Sequence, residues 1–448
     1  IGARVVRRED PRLLTGAGNY VADIKRHGMV HIAFRRSDHA HALIKYIDTS
    51  AARAVPGVVA IYTGADIARL ANPYQATSRM KNYQATYIPP IATEKVRYVG
   101  EAVVAVVAES RYVAEDALAH IVIDYEPLAV LVDPEESLRP GAPKLHDDLA
   151  SNILAERVFS RGEVEDAFAN AAETAGGRFH FTRTTPVTIE ARASVAEYDR
   201  GARALTLHCT TQIPGIVRDK LSEVFDLPGP RIRVIAPDVG GGFGGKTSLY
   251  SEEIVVCAVA RDLCKPVKWV SDRMEDLMTT GNAFDEIVDA EIAVAEDGTI
   301  LGVKADVIGD IGAYSIYPWT AVIEPVQVVS FLPGPYRIEN YSARVRAVAT
   351  NKTLTGAYRG VGRPISVFVM DRLLDMVARK IGMDPAEIRR RNLVNDDEFP
   401  YKAASGLVWD KSAFQACLRE AADGIGYEEL RREQTAARAD GRWVGIGV

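Results

Sequence analysis

The period of apolar and polar positions changes several times along the chain, and each change marks an element. Residues 96–107 (VRYVGEAVVAVV) are dense in β-branched side chains and predict one largely buried strand. Ser110 then offers an N-cap to a helix over 111–120, and residues 121–125 return to a strand, so the first stretch is a mixed α/β unit. From 126 to 148 no period is sustained, and Pro127, Pro134, Pro140 and Pro143 interrupt the run as in an interdomain connector. A longer α+β region follows. Residues 214–227 have the spacing of an amphipathic helix closed by Pro228 and Gly229, 231–235 predict a strand, 249–261 a helix and 266–270 another strand. Residues 286–294 and 299–307 predict two strands turned at Asp297-Gly298, a hairpin signal. A long helix over 365–381 should stop at Gly382, and Asp384-Pro385 should open the next, with Asp as cap and Pro in the first turn. The last residues, 443–448, predict a strand just beginning, which would need a partner segment to complete its sheet. No internal repeat or low-complexity tract interrupts this pattern.

Composition narrows the class. A chain of 448 residues exceeds one compact core, so several domains are expected. Its 47% hydrophobic and 25% charged residues are globular values and exclude disorder and fibres. A net charge of −6 leaves no footprint for nucleic acid or an anionic membrane. No apolar run reaches the roughly 20 residues that span a bilayer. The opening Ile1-Gly2-Ala3-Arg4-Val5 has no export signal and no initiating Met, which points to trimming or omission. Cys209, Cys257, Cys264 and Cys417 form no Cys-x-x-Cys pair and are expected to be reduced and buried in a cytoplasmic protein. An iron–sulfur cluster would then sit on another chain. His39 and His41 are expected to face solvent rather than a metal, and Glu101 to be structural.

The sharpest local feature is Gly240-Gly-Gly-Phe-Gly-Gly-Lys246. With Thr247 it matches a phosphate loop, because glycines let amides approach a phosphate and a following helix adds its dipole. A turn needing only positive φ explains the same glycines. Position disfavours the nucleoside triphosphatase: about 240 residues precede the loop, a hairpin follows it, and only Asp306 and Asp310 are available to hold magnesium.

Several separate motifs instead carry a family resemblance. Arg8-Glu-Asp-Pro-Arg-Leu-Leu-Thr-Gly16, Arg36-Ser-Asp-His-Ala-His-Ala42 and Val96-Arg-Tyr-Val-Gly-Glu101 resemble the N-terminal α/β hammerhead domain of molybdenum hydroxylases. That family includes xanthine dehydrogenase, aldehyde oxidase and carbon monoxide dehydrogenase. Val239–Lys246 is similar to the family's glycine-rich molybdopterin loop, Thr355–Pro364 to its second cofactor loop, and Asp384–Asn392 to the helix beyond. The resemblance implies an α+β fold: a hammerhead domain over 1–130, a connector over 131–150, the first molybdopterin-binding domain over 151–435, and the start of the second over 436–448. It also implies a molybdenum pyranopterin, typically the cytosine dinucleotide form, with 2Fe-2S clusters and FAD on partner subunits. The partners would be a C-terminal molybdopterin-binding half, an iron–sulfur subunit and an FAD subunit, assembled as a dimer of heteromers. Gln212 matches the glutamine whose amide contacts the metal's oxo ligand; Gly242, Phe243 and Gly244 match the loop positions whose backbone approaches the metal; Arg359 matches the arginine beside its ligands.

Departures bear on the substrate. Purine-oxidising members have a glutamate where this chain has Thr247, an arginine near Gln327 and a phenylalanine at Val361; carbon monoxide dehydrogenases have a copper-holding cysteine at Gly360. Xanthine and CO are therefore not expected, and an N-heterocycle or an aldehyde is. The family's catalytic glutamate lies in the C-terminal half, so no general base can be named in this chain. The expectation is a half-subunit of a molybdenum hydroxylase, with a non-catalytic cofactor scaffold as the alternative.

Overall fold

The computed structural model describes residues 2–448; Ile1, part of the N-terminal reading, lies outside them. Helices and strands are mixed throughout, as the changing periods predict, and they assemble into two main sheets.

The first sheet has seven strands in the spatial order Ile232–Ile235, Ala204–Cys209, Ala193–Asp199, Val267–Val270, Val30–Arg36, Ala102–Ala108, Val58–Thr63. Three of these come from the first 130 residues and four from beyond residue 190. They join where Val30–Arg36 runs parallel to Val267–Val270, in register Val30 with Val267 and His31 with Lys268. The helix Ser251–Leu263 packs on this sheet, with every residue from Ile254 to Ala260 fully buried. A helix apolar all round over its middle two turns belongs at the centre of a core, not at its surface.

The second sheet has five strands, Ile153–Arg161, Asn340–Ala349, Ile300–Gly312, Glu286–Val294 and Glu173–Phe181. Its apolar face is covered by the helices Ile323–Phe331 and Arg363–Lys380, which bury Val328, Val329, Leu373, Leu374 and Val377. The predicted hairpin is present, turned at Gly298 with φ of +83°. The helix Pro385–Asn392 opens as expected, with the Asp384 carboxylate accepting from the Ala386 amide at 2.8 Å.

Several expectations are corrected. The single strand over 96–107 is two, Lys95–Val96 and Ala102–Ala108, in different sheets. Between them the chain turns through Gly100, with φ of +100°, because the Glu101 carboxylate reaches back to the Arg97 amide at 2.6 Å. Glu101 is buried and also accepts from Tyr314 Oη at 2.7 Å, in keeping with a structural role. The helix expected over 249–261 starts two residues later, at Ser251, because the Glu253 carboxylate caps the Tyr250 amide. His41 is buried with Nδ1 2.6 Å from the Ala129 carbonyl. The proline-rich stretch contains a short helix, Pro134–Ser137, and fully buries Leu145. Residues 443–448 form no strand; Val444 instead accepts from Gln434 Nε2 at 2.8 Å.

Only two of the four cysteines are buried. Cys209 and Cys257 lie in the first core, whereas Cys264 and Cys417 are exposed. Burial pushes the Cys209 and Cys257 thiols upward, away from the reactive thiolate. Alkylation of the folded chain should therefore modify Cys264 and Cys417 and spare the other two until denaturant is added. Peptide mass spectrometry checks this, and native modification of Cys257 at the rate of Cys264 would refute the packing.

Candidate cofactor site

Two loops meet at one surface. The glycine loop leaves the strand Ile232–Ile235 and crosses to the helix Ser251–Leu263. Phe243 adopts φ of +50° and Gly244 φ of +105°. A β-carbon on Gly244 would sit 2.2 Å from the Ala357 carbonyl oxygen, so only glycine lets the second loop approach this closely. The second loop is strained as well, with Gly360 at +109°, Val361 at +49° and Gly362 at +74°. A β-branched residue at positive φ is a genuine outlier, and such conformations persist only where the surroundings over-determine them.

The backbone carries the junction. The Arg359 amide donates to the Phe243 carbonyl at 2.9 Å. Gln212 lies between the strand Ala204–Cys209 and the helix Pro214–Phe225, and its own amide donates to the Lys246 carbonyl at 2.8 Å. Its side-chain Oε1 accepts from the Gly244 amide at 3.1 Å. Gly242 presses on the same group, for a β-carbon there would lie 2.3 Å from Gln212 Oε1. Gln212, Phe243 and Arg359 thus converge and face solvent. Among the described residues Gln212 Nε2 and the Arg359 guanidinium have no partner. An amide donor, a cation and close-lying backbone are what a polyoxygenated, electron-rich cofactor requires.

Thr247, Gly360 and Val361 flank this junction. Thr247 Oγ1 donates to the Gly244 carbonyl at 2.6 Å and accepts from Trp319 Nε1 at 3.0 Å, which braces the loop from beneath. The Val361 amide closes a turn onto the Tyr358 carbonyl at 2.8 Å.

The phosphate-loop alternative fails on its lysine. Lys246 is 2% exposed, and its ammonium donates to the Glu190 carbonyl at 2.8 Å and the Glu190 carboxylate at 3.0 Å. Burial draws its pKa downward against the pull of Glu190. The group points into the protein and cannot reach a phosphate. The helix also opens at Ser251, too late to aim its N-terminus at the loop.

Sequence reasoning missed Glu190 and Trp319. Glu190 also accepts from the Gly240 amide at 2.7 Å and so holds both ends of the glycine run. Nothing in the sequence pattern linked Lys246 to an acid 56 positions upstream.

Comparison with known proteins identifies the family. Residues 145–393 match the molybdopterin cofactor-binding domain, and residues 15–129 match the a/b hammerhead domain of aldehyde oxidase and xanthine dehydrogenase. The chain is 37% identical to the nicotine 6-hydroxylase large subunit of Paenarthrobacter nicotinovorans, across 100% of this chain and 55% of that protein. It is 35% identical to the carbon monoxide dehydrogenase large chain of Hydrogenophaga pseudoflava, across 99% of this chain and 57% of that one. The crystal structure of quinoline 2-oxidoreductase from Pseudomonas putida 86 superimposes with a TM-score of 0.95 at 38% identity, covering 98% of this chain and 56% of that one. The chain therefore spans little more than half the length of these relatives. No described helix is long and apolar enough to cross a membrane. With its hammerhead segment and its two convergent glycine-bearing loops, the chain belongs to the molybdopterin-binding family of the aldehyde oxidase and xanthine dehydrogenase type.

Proposed function

We propose that this chain forms one wall of a molybdenum pyranopterin pocket in a hydroxylase completed by a C-terminal molybdopterin-binding half. The observation that carries this reading is the junction of Gln212, Gly244, Phe243 and Arg359 through direct hydrogen bonds. Gln212 Nε2 would donate to the cofactor's oxygen ligands, the backbone at Gly242, Phe243 and Gly244 would lie against it, and Arg359 would supply fixed positive charge. When bound, the cofactor supplies a two-electron oxidation that hydroxylates an electron-poor carbon with water as oxygen source. Electrons would leave through 2Fe-2S and FAD partner subunits in a cytoplasmic dimer of heteromers, with the cofactor in its cytosine dinucleotide form. The general base would come from the C-terminal half.

Thr247, Gly360 and Val361 would border the substrate. Thr247 carries no carboxyl to read a purine, and its Oγ1 is engaged by the Gly244 carbonyl and Trp319 Nε1. Gly360 offers no thiol for copper, and a β-carbon there would press to 2.6 Å from Pro364 Cγ. Two of the relatives compared are named for aromatic N-heterocycles, nicotine and quinoline, which supports that class over aldehydes.

Metal analysis and pterin release from the chain, alone and purified with a C-terminal half, test the reading. Molybdenum and pterin should accompany the assembled pair, and their absence from a folded pair would end it. In that assembly Gln212→Ala should lower turnover about tenfold, the scale of losing an outer-shell metal contact, without loss of cofactor. Unchanged turnover would remove Gln212 from the site.

A further inference from the structure

Behind the second loop lies a buried carboxyl that none of the chemistry above uses. Glu324, in the first turn of the helix Ile323–Phe331, is 1% exposed. Its Oε2 accepts from the Phe284 amide at 2.7 Å, and its Oε1 has no hydrogen-bond partner among the described residues. That donor and the close-packed Gly362 both sit in strained turns. Phe284 and Asp285 are consecutive non-glycine residues at φ of +66° and +64°, and Gly362 at +74° begins the helix Arg363–Lys380. The two turns flank Tyr358 to Val361, and the Phe284 ring meets the Tyr358 ring edge-on at 6.0 Å. The fit is close: a β-carbon on Gly362 would lie 2.6 Å from the Glu324 carbonyl oxygen.

We infer that Glu324 is a positioning residue for the second cofactor loop, holding the strained turn at 284–285 so that Phe284 packs on Tyr358 and thereby fixes Tyr358, Arg359 and Val361 against the glycine loop. Left-handed turns cost about 1–3 kcal/mol each and need such over-determination. The neighbouring polar groups do not perform this task. Asp285 is occupied by Arg183 at 2.7 Å and Lys352 at 2.9 Å, and Asp310 is held by the same two cations. Glu286, 1% exposed, has no hydrogen-bond partner among the described residues on either oxygen. Burial, then repulsion from Glu324, raises its carboxyl well above the usual range, and burial lifts Glu324 to about 8. A neutral acceptor of the same shape should therefore serve nearly as well as the carboxylate.

The inference deepens the cofactor-site reading and rests on it for its functional meaning, but the test reads the loop in the full chain without cofactor. Amide hydrogen exchange, corrected for intrinsic rates, is compared in the wild type, Glu324→Leu and Glu324→Gln. Leucine fills the space without an acceptor. It should speed exchange at residues 284–285 and 358–363 about tenfold, the scale of one lost buried hydrogen bond, and leave residues 254–260 unchanged. Glutamine keeps an acceptor and should restore near-wild-type protection. Should the leucine variant not fold, Glu324→Asp, which withdraws the carboxyl by one methylene, gives the same two readings. Unchanged loop exchange, loosening spread evenly through the chain, or glutamine as damaging as leucine would each overturn the inference. Loosened loop exchange in the leucine variant with the molybdenum content of the assembled pair unchanged would count against the cofactor reading alone.

Discussion

Gly244→Ala is expected to cost the chain about 3 kcal/mol and to abolish retention of the cofactor by the assembled pair. An L-residue at φ of +105° is strained by about 1–3 kcal/mol wherever it stands. Here the added methyl would also meet the Ala357 carbonyl oxygen at 2.2 Å, and that atom is backbone and cannot rotate away. One loop must move, and either movement breaks the Arg359–Phe243 or the Gln212–Gly244 hydrogen bond. Denaturant unfolding with an unchanged slope measures the first effect and molybdenum content the second. Gly215→Ala is the control, because nothing lies within 4 Å of a β-carbon there. Equal behaviour of the two variants would mean that the loops do not touch as described.

The second large effect lies beneath the site. Arg192 is 1% exposed and bonds Glu252 at 3.0 Å, Thr280 Oγ1 at 3.0 Å and Thr279 Oγ1 at 2.6 Å. Its guanidinium lies over the Tyr250 ring at 3.9 Å. Glu252 also accepts from Arg36 at 2.7 Å, so one carboxylate links a strand of the first 130 residues to the glycine-loop helix. Arg192→Met should cost about 3–5 kcal/mol, the usual loss when one member of a buried ion pair is removed. Adding Glu252→Leu should not restore the loss, since Glu252 still pairs with Arg36 in the single variant and its removal takes a partner from that buried cation. A loss below about 1 kcal/mol, the scale of an exposed pair, would show the network to be solvated.

The same network sets an acid limit. Burial alone would raise the Glu252 carboxyl, but Arg192 and Arg36 overcome it and hold it at about 2, below its ordinary 4.5. Its contribution is present above pH 4.5 and is lost as pH falls toward 2. Glu253 opposes it in another range: burial lifts that carboxyl to about 7, so its contribution fades as pH rises from 4.5 to 7. The acid decline in melting temperature should flatten in Arg192→Met.

Much of the fold was legible because it is local. The Asp297-Gly298 turn, the Asp384 cap and the helix beginning at Pro214 each depend on neighbours within a few positions, so period and cap chemistry were enough. The strand break at 97–101 was not, because an apolar run looks the same whether or not Glu101 folds back on Arg97. The site divided likewise. Glycines and Gln212 were visible as motifs, whereas Glu190, Trp319 and Glu324 act across 56, 72 and 40 positions, where no period reaches. Burial of Cys264 was misjudged because its apolar neighbours end at the helix cap, where the chain turns outward.

The pairing of Val30–Arg36 with Val267–Val270 limits how the molecule can be taken apart. Excising the first 130 residues would not release a free-standing module. It would uncover the flank of Val267–Val270, where Val267 and Trp269 are almost wholly enclosed, and leave its amides open to strands of other molecules. Strand addition between copies is the route by which such flanks aggregate, so the hammerhead segment doubles as a solubility shield for the cofactor half.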